Sequence, residues 1–171
     1  HNFLIHDYFF ARTLDKVRPG GVIAFITSKG TLDKENPNVR KYIAQRADLL
    51  GAIRLPNDTF KAAAGTEVTS DIIFLQKRDR LVDIEPDWVH LATDANGIRM
   101  NAYFVDNPEM VLGDMQMVSG PHGMESACIA YENAELGDLL RDAIQNIHAE
   151  ITEFEIDDLE AEDEDLSIPA D

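Results

Sequence analysis

The sequence has little cysteine and no long apolar run, and each shortage excludes a class of protein. The single cysteine, Cys128, can neither form a disulfide within the chain nor build a metal site of the cysteine-cluster type. No stretch of about 18 apolar residues is present, and no basic segment followed by an apolar one marks a signal peptide. With the histidines also scattered, we expect no metal site, no membrane partner and a cytoplasmic location.

Lysine and arginine are almost absent from the second part of the chain. Residues 1–80 carry 13 Lys and Arg against 9 Asp and Glu, whereas residues 81–171 carry 2 against 23, so the two parts have net charges of +4 and −21. A surface that contacts nucleic-acid phosphates is therefore expected in the first part, because the second would repel phosphate.

The chain also lacks an initiating methionine. It begins at His1 and enters an amphipathic pattern at once, so we interpret it as an excised part of a longer protein. Its 171 residues are enough for one medium-sized domain, or for one domain with an appendage.

Helix and strand patterns alternate through residues 1–80. Apolar residues spaced by three and four predict helices, and short continuous apolar runs predict strands buried on both faces. In chain order these are a helix at 2–17, a strand at 22–27, a helix at 37–47 and strands at 49–55 and 70–76. The strand–helix–strand order implies a parallel crossover, and the short link between the last two strands predicts an antiparallel pair. The fold class is therefore α/β.

The remainder gives weaker patterns. Strands are predicted at 87–92 and 98–104 around a turn, and a long helix at 134–154. Eight of the eleven residues at 155–165 are acidic, so that segment is expected to be disordered or solvated. The predicted division is thus 1–80, a mixed or irregular extension at 81–133, the C-terminal helix at 134–154 and an acidic tail at 155–171.

Three short motifs follow one another along the first part: RPGGVIAFIT at 18–27, IRLPNDTF at 53–60 and GTEVTSDIIFLQK at 65–77. In this order they resemble the second half of the catalytic domain of adenine-specific DNA methyltransferases of the gamma order. That group includes type I modification subunits and helicase-fused methylases of mobile elements. The resemblance implies part of a Rossmann-like S-adenosylmethionine-dependent methyltransferase sheet ending in an antiparallel strand pair, followed by a small mixed region and a C-terminal helix.

Two other motifs of that family are missing. The chain has no glycine-rich cofactor loop and no Asn/Asp-Pro-Pro-aromatic tetrapeptide, since the Asn-Pro pairs at Asn36 and Asn107 lack the second proline and the aromatic. In the family both motifs precede the helix with which this chain begins. The resemblance therefore implies a parent enzyme that methylates the exocyclic amine of adenine with S-adenosylmethionine. The fragment itself is expected to be inactive, with no catalytic, cofactor-binding or metal-binding residue.

Three residues are candidates for contact with DNA. By the family pattern, Phe60 matches the aromatic wall of the pocket that receives a flipped base, where stacking contributes about 1–3 kcal/mol per base. Lys29 follows a strand end, at which open α/β sheets bind ligands. Lys61 begins the loop that borders the pocket, and we expect both lysines to contact phosphates.

Other functions stay open at this point. Related enzymes with the same tetrapeptide methylate RNA or glutamine in proteins. A non-catalytic interaction module of a helicase/methylase fusion protein is another alternative, which the acidic part and the final helix would suit. The expected partners are DNA, the remainder of the methyltransferase domain and, in a fusion, a helicase domain of the same polypeptide.

Overall fold

A computed structural model describes residues 5–60 and 68–149, and for residues 5–8 the backbone alone. These residues form a mixed α/β structure with one three-stranded and two two-stranded sheets, all antiparallel. The helices and strands are α1 (Ile5–Lys16), β1 (Val22–Ser28), α2 (Gly30–Asp33), α3 (Asn38–Arg46), β2 (Ala47–Leu55), β3 (Ser70–Lys77), β4 (Leu91–Thr93), β5 (Arg99–Asn101), α4 (Ala102–Asp106), β6 (Asp114–Gly120), β7 (Gly123–Ile129) and α5 (Leu136–Ile144).

The largest sheet has the order β1-β3-β2, and this order corrects the predicted fold. β3 pairs antiparallel with both neighbours, for example Ile72 with Ile26 of β1 and with Ile53 of β2. The predicted antiparallel pair of the last two strands is therefore confirmed. The Rossmann-like parallel sheet is not found among the described residues, because β3 lies between β1 and β2. The two strands run in the same direction without hydrogen-bonding to each other.

Apolar side chains on the helices and strands hold this sheet. Phe10 and Leu14 of α1 are buried, and the Phe10 ring meets the Phe25 ring of β1 edge to face, with centroids 4.4 Å apart. α3 begins after Asn36, whose side chain accepts a hydrogen bond from the backbone N–H of Asn38 at 3.0 Å. This contact restrains the chain just ahead of the helix.

The sheet has two ends, which differ in character. We call the end marked by Ser28, Leu55 and Ser70 the upper end, where β1 and β2 finish and β3 begins. The opposite, lower end is marked by Val22 and Lys77, close to where α1 and α3 finish. The order of the elements therefore places different side chains at the two ends.

Several elements after residue 80 differ from the predictions. The strand expected at 87–92 is a 3-10 helix at Asp87–Val89 followed by β4. The strand expected at 98–104 stops at Asn101, because the Asn101 side chain accepts a hydrogen bond from the N–H of Tyr103 at 3.0 Å and starts α4. The β6–β7 hairpin was not predicted, since its strands mix methionine, serine and glycine instead of alternating clearly.

The final helix is shorter than expected. α5 ends at Ile144, and the described residues that follow it are not helical. Ile147 instead packs close to Gly51 of β2, where a Cβ would lie 2.9 Å from its Cγ1. The rest of the predicted helix and the acidic tail lie outside the described residues, and the four-part division stays a prediction.

The described parts share one buried cluster, which runs from Phe10 and Leu75 through Trp88 and Phe104 to Ala143. Within residues 5–60 and 68–149, none of the helices has the length and apolarity that crossing a bilayer requires. The same residues contain no group of three or more His, Cys, Asp or Glu side chains suited to hold a metal ion.

Candidate functional site

The structure places both described candidates at the upper end of the sheet. Lys29 follows β1 directly and is half-buried, and its backbone N–H donates a hydrogen bond to the carbonyl oxygen of Thr69 at 3.0 Å. Phe60 ends the turn after β2 and is 36% exposed. Lys61 lies outside the described residues. Base stacking by Phe60 and phosphate contact by the lysines therefore stay predictions.

A buried ion network lies beneath this end of the sheet. The guanidinium of Arg54 donates to both oxygens of Asp71, from Nε at 2.8 Å and from Nη2 at 2.9 Å. It also donates to both oxygens of Asp33, from Nη1 at 2.8 Å and from Nη2 at 2.9 Å. Arg54 and Asp71 are fully buried, and Asp33 is nearly so. Two bidentate pairs of this kind fix the geometry of all three side chains.

One cation serves two carboxylates in this network. Burial raises the pKa of the Asp71 carboxyl above its ordinary value, against the opposing effect of Arg54. Burial alone lowers the pKa of the Arg54 guanidinium, but Asp71 and then Asp33 outweigh that effect and raise it above its ordinary value. Arg54 therefore remains charged. The ring of Phe104 covers its remaining face, with the centroid 4.4 Å from the guanidinium carbon. The network is therefore shielded from solvent by its burial and by the Phe104 ring.

Asn101 ties the network to the rest of the molecule. It is fully buried, its Nδ2 donates to the carbonyl oxygens of Leu32 and Trp88 at 2.8 Å each, and its backbone N–H donates to Asp33 at 3.0 Å. This residue thereby joins α2 to the β4–β5 hairpin. Breaking the network would disturb the main sheet and the segment after residue 80 together.

Cys128 also connects the segment after residue 80 to the main sheet, through Thr69. It is buried, and its backbone N–H donates to Oγ1 of Thr69 at 2.9 Å. Burial raises the pKa of the thiol to about 12, against the opposing effect of Arg54. The thiol is therefore protonated at neutral pH and is not a nucleophile. The reactive groups at the upper end are held in a structural role.

Sequence reasoning did not find this network, although a signal was present. Arg54 and Asp71 are opposite charges inside two otherwise apolar strands, and the antiparallel register pairs them directly. Reading the predicted hairpin residue by residue would have placed them together. Asp33 carried no such signal, because its position depends on how α2 folds back.

The lower end carries a different set of charges. A cleft of about 410 Å³, here called the lower cleft, opens where β3 leaves the sheet. Its lining is Leu14, Asp15, Pro19, Arg46, Lys77, Arg78, Asp79, Arg80 and Leu81. Four basic side chains thus face two acidic ones, in a chain whose overall net charge is −17.

Comparison with known proteins gives one relative to report. Defense against restriction protein B of Escherichia phage P1 is 33% identical to this chain over 88 residues, which are 51% of the chain and 4% of that protein. The chain therefore spans a small part of the length of this relative. No family model matches the chain. No solved structure matches it.

These findings overturn the methyltransferase assignment. The relative is named for defence against restriction and not for methyl transfer, and no methyltransferase family model matches. The predictions of a DNA adenine methyltransferase, of its RNA- and protein-methylating relatives and of an enzyme are therefore wrong. They depended on short motifs at glycine and proline turns, which many α/β proteins place before buried strands. The name of the relative refers to restriction.

The expected cofactor and partners were tied to the same resemblance. S-adenosylmethionine, the remainder of a methyltransferase domain and a helicase in the same polypeptide were inferred from it alone, and they have no other support. DNA was expected also from the basic first part of the chain, and that reason is independent of the family.

Proposed function

We propose that the chain is a DNA-binding module, without catalytic chemistry of its own, in a protein that protects DNA against restriction. The similarity to the phage P1 defence protein is the observation that carries this proposal. Restriction cleaves DNA, so a module that acts by binding can serve the defence by occupying DNA.

The distribution of chemical groups supports a binding role. Arg54, Asp71 and Cys128, the groups best suited to chemistry, are buried and already engaged with one another or with the backbone. The basic groups of the lower cleft, among which Arg80 is exposed and Lys77 half-buried, are instead suited to bind a polyanion. A strongly acidic chain that keeps a basic cleft has a local field opposite in sign to its net charge.

Fluorescence anisotropy with the purified chain and a labelled DNA duplex tests the proposal. We expect binding at low salt that weakens steeply as salt is raised, because bound phosphates release counterions. In a parallel assay, the chain should slow cleavage of a plasmid by a restriction endonuclease, whereas an unrelated acidic protein at the same concentration should not. Absence of DNA binding even at low salt would refute the proposal.

A second candidate function, binding of a basic protein segment, is favoured by a different cavity. This cavity of about 290 Å³ lies between the β4–β5 turn, α4 and the base of the β6–β7 hairpin. Phe104, Met115 and Tyr131 give it an apolar lining, and Asp94 and Asp114 also line it. An apolar wall with carboxylates suits a side chain with an apolar stem and a cationic end.

The two functions separate in one competition experiment. A short lysine- and arginine-rich peptide with an aromatic residue should bind the chain in the second case, and Asp114→Asn should weaken that binding, because Asp114 is exposed and lines the cavity. DNA binding should change little in that variant, because Asp114 does not line the lower cleft. A peptide that binds while DNA does not would favour the second function over the first.

A further inference from the structure

We propose that the lower cleft, together with the adjacent face of α1, is the surface that contacts the phosphate backbone of duplex DNA. This inference depends on the proposed function and locates it. The proposed contact lies at the lower end of the sheet. The sequence had predicted a contact at the opposite, upper end, at Lys29 and Phe60.

The topology brings basic side chains from three elements to this end. α1 ends at Lys16, α3 ends at Arg46 and β3 ends at Lys77. The backbone N–H of Gly20 donates to the carbonyl oxygen of Lys77 at 2.7 Å, and that of Arg78 donates to the carbonyl oxygen of Arg46 at 2.9 Å. These hydrogen bonds hold the three elements together, so the charges are clustered by the fold and not by one flexible segment.

Part of this positive charge serves the protein itself. Arg46 donates from Nη1 to the carbonyl oxygen of Tyr42 at 3.0 Å and stacks over the Tyr42 ring, with 3.5 Å from the guanidinium carbon to the centroid. Arg78 donates to the carbonyl oxygen of Ala44 and forms an ion pair with Asp48 at 2.5 Å. Cations near a helix C-terminus stabilise the helix. These two arginines are therefore assigned to the end of α3.

Three further cations lie at or near the surface. Lys16 and Arg80 are exposed, and Lys77 is half-buried, with a long hydrogen bond of 3.3 Å from its Nζ to the carbonyl oxygen of Asp15. A second groove along α1 is lined by Phe9, Arg12, Thr13, Lys16 and Val17, and the same helix contributes Leu14 and Asp15 to the cleft. The basic surface is thus extended, as a row of phosphates requires, and is wider than a site for one small anion.

The cleft also favours DNA over an anionic membrane. A bilayer presents a flat plane of headgroups, whereas the cleft is a recess of about 410 Å³ between β3 and the end of α1. Three of its four basic residues are arginines, of which Arg80 is exposed, and the planar guanidinium pairs well with phosphate. At physiological salt, acidic groups more than about 8 Å away are largely screened, so the local charge governs the contact.

Two triple variants with equal loss of charge test the inference. One replaces residues of the lower cleft and of the adjacent face of α1, Lys16→Gln, Lys77→Gln and Arg80→Gln. The control replaces three exposed basic residues that line neither surface, Lys34→Gln, Lys41→Gln and Arg99→Gln. The cleft variant should bind the duplex at least about tenfold more weakly at low salt. Its slope of log affinity against log salt should fall by about 0.9 for each phosphate that the variant no longer neutralises. The control should bind like the unmodified chain.

Each remaining outcome has one meaning. If the unmodified chain binds DNA and the cleft variant binds equally well, the inference is wrong while the proposed function stands. If the unmodified chain does not bind DNA, the proposed function itself has failed. Binding of the unmodified chain to phosphatidylserine vesicles but not to DNA identifies a membrane surface and also overturns the inference. Replacing Lys16 and Lys77 by Arg should retain binding, and equal melting temperatures should show that all variants are folded.

Discussion

The two ends of the main sheet use charge in opposite ways. At the upper end, Arg54 is buried between Asp33 and Asp71, so the three charges of this network are paired and shielded from solvent. At the lower end, Lys16, Lys77 and Arg80 lie at or near the surface around an open cleft. The type of a charged residue therefore says little by itself about its role. Burial and pairing decide whether the charge stabilises the fold or recognises a ligand.

The largest change in stability is expected from Arg54→Met, at the upper end. The change leaves two buried carboxylates without a cation, and such a loss destabilises a protein by about 3–5 kcal/mol. The matched change at the lower end, Arg80→Met, should alter the free energy of unfolding by no more than about 0.5 kcal/mol. Urea denaturation of both variants measures the difference.

A small loss of stability in Arg54→Met would contradict this difference between the two ends. It would mean that water reaches Asp33 and Asp71 or that one of them binds a proton. The network would then not be shielded from solvent in the way that its burial indicates. Replacing Asp33 and Asp71 by Leu in the Arg54→Met background should recover much of the lost stability, because apolar residues can substitute for a buried ionic group.

An intermediate effect is expected from pH, through Cys128. An exposed thiol ionises with a pKa near its ordinary value of 9.0, whereas the pKa of buried Cys128 is raised to about 12. Between these values the unfolded chain has lost the proton that the folded chain retains. The contribution of Cys128 to stability is therefore fully present below pH 9 and is lost as pH rises towards about 12.

Thermal denaturation across this alkaline range compares the unmodified chain with Cys128→Ala. The variant should lose stability less steeply with pH, by up to about 1.4 kcal/mol per pH unit. Tyr103 also has a pKa raised mainly by burial, but it is present in both proteins and cancels in the difference. Equal slopes for the two proteins would show that the thiol reaches solvent in the folded state.

The smallest effect is expected from Phe60 with duplex DNA. Stacked bases offer no free face, so Phe60→Ala should leave duplex binding within about threefold of the unmodified chain, since a non-contacting aromatic adds little. Single-stranded DNA exposes its bases, and there Phe60→Ala should weaken binding by about 1–3 kcal/mol while Phe60→Trp retains it. Anisotropy with both DNA forms is the measurement. Identical behaviour of the two variants with single strands would remove Phe60 from the interface.

Local sequence pattern was sufficient for the elements of the main sheet. The runs around Ile23, Ile53 and Ile73 are apolar and short, and each proved to be a strand. Their order was not predicted, because periodicity reports which residues are buried and does not report which strand lies beside which. The insertion of β3 between β1 and β2 depends on contacts between residues far apart in sequence.

The site was predicted less well, for a physical reason. Phe60 and Lys29 do lie at one end of the sheet, since both follow strands that end there. Lys77 and Arg80 line the lower cleft and Lys16 lines the groove along α1, and only Lys77 belongs to one of the three motifs. Only the folded arrangement makes them neighbours.

The strand order also affects how copies of the protein associate in solution. Among the described residues, β1 has a neighbouring strand on one side alone, and Val22 and Ile26 on it are 47% and 65% exposed. An open edge of this kind can pair with the same edge of another molecule. The net charge of −17 keeps copies apart by mutual repulsion. Because dissolved salt screens that repulsion, concentrated salt should bring these edges together, and the protein should store best in dilute buffer.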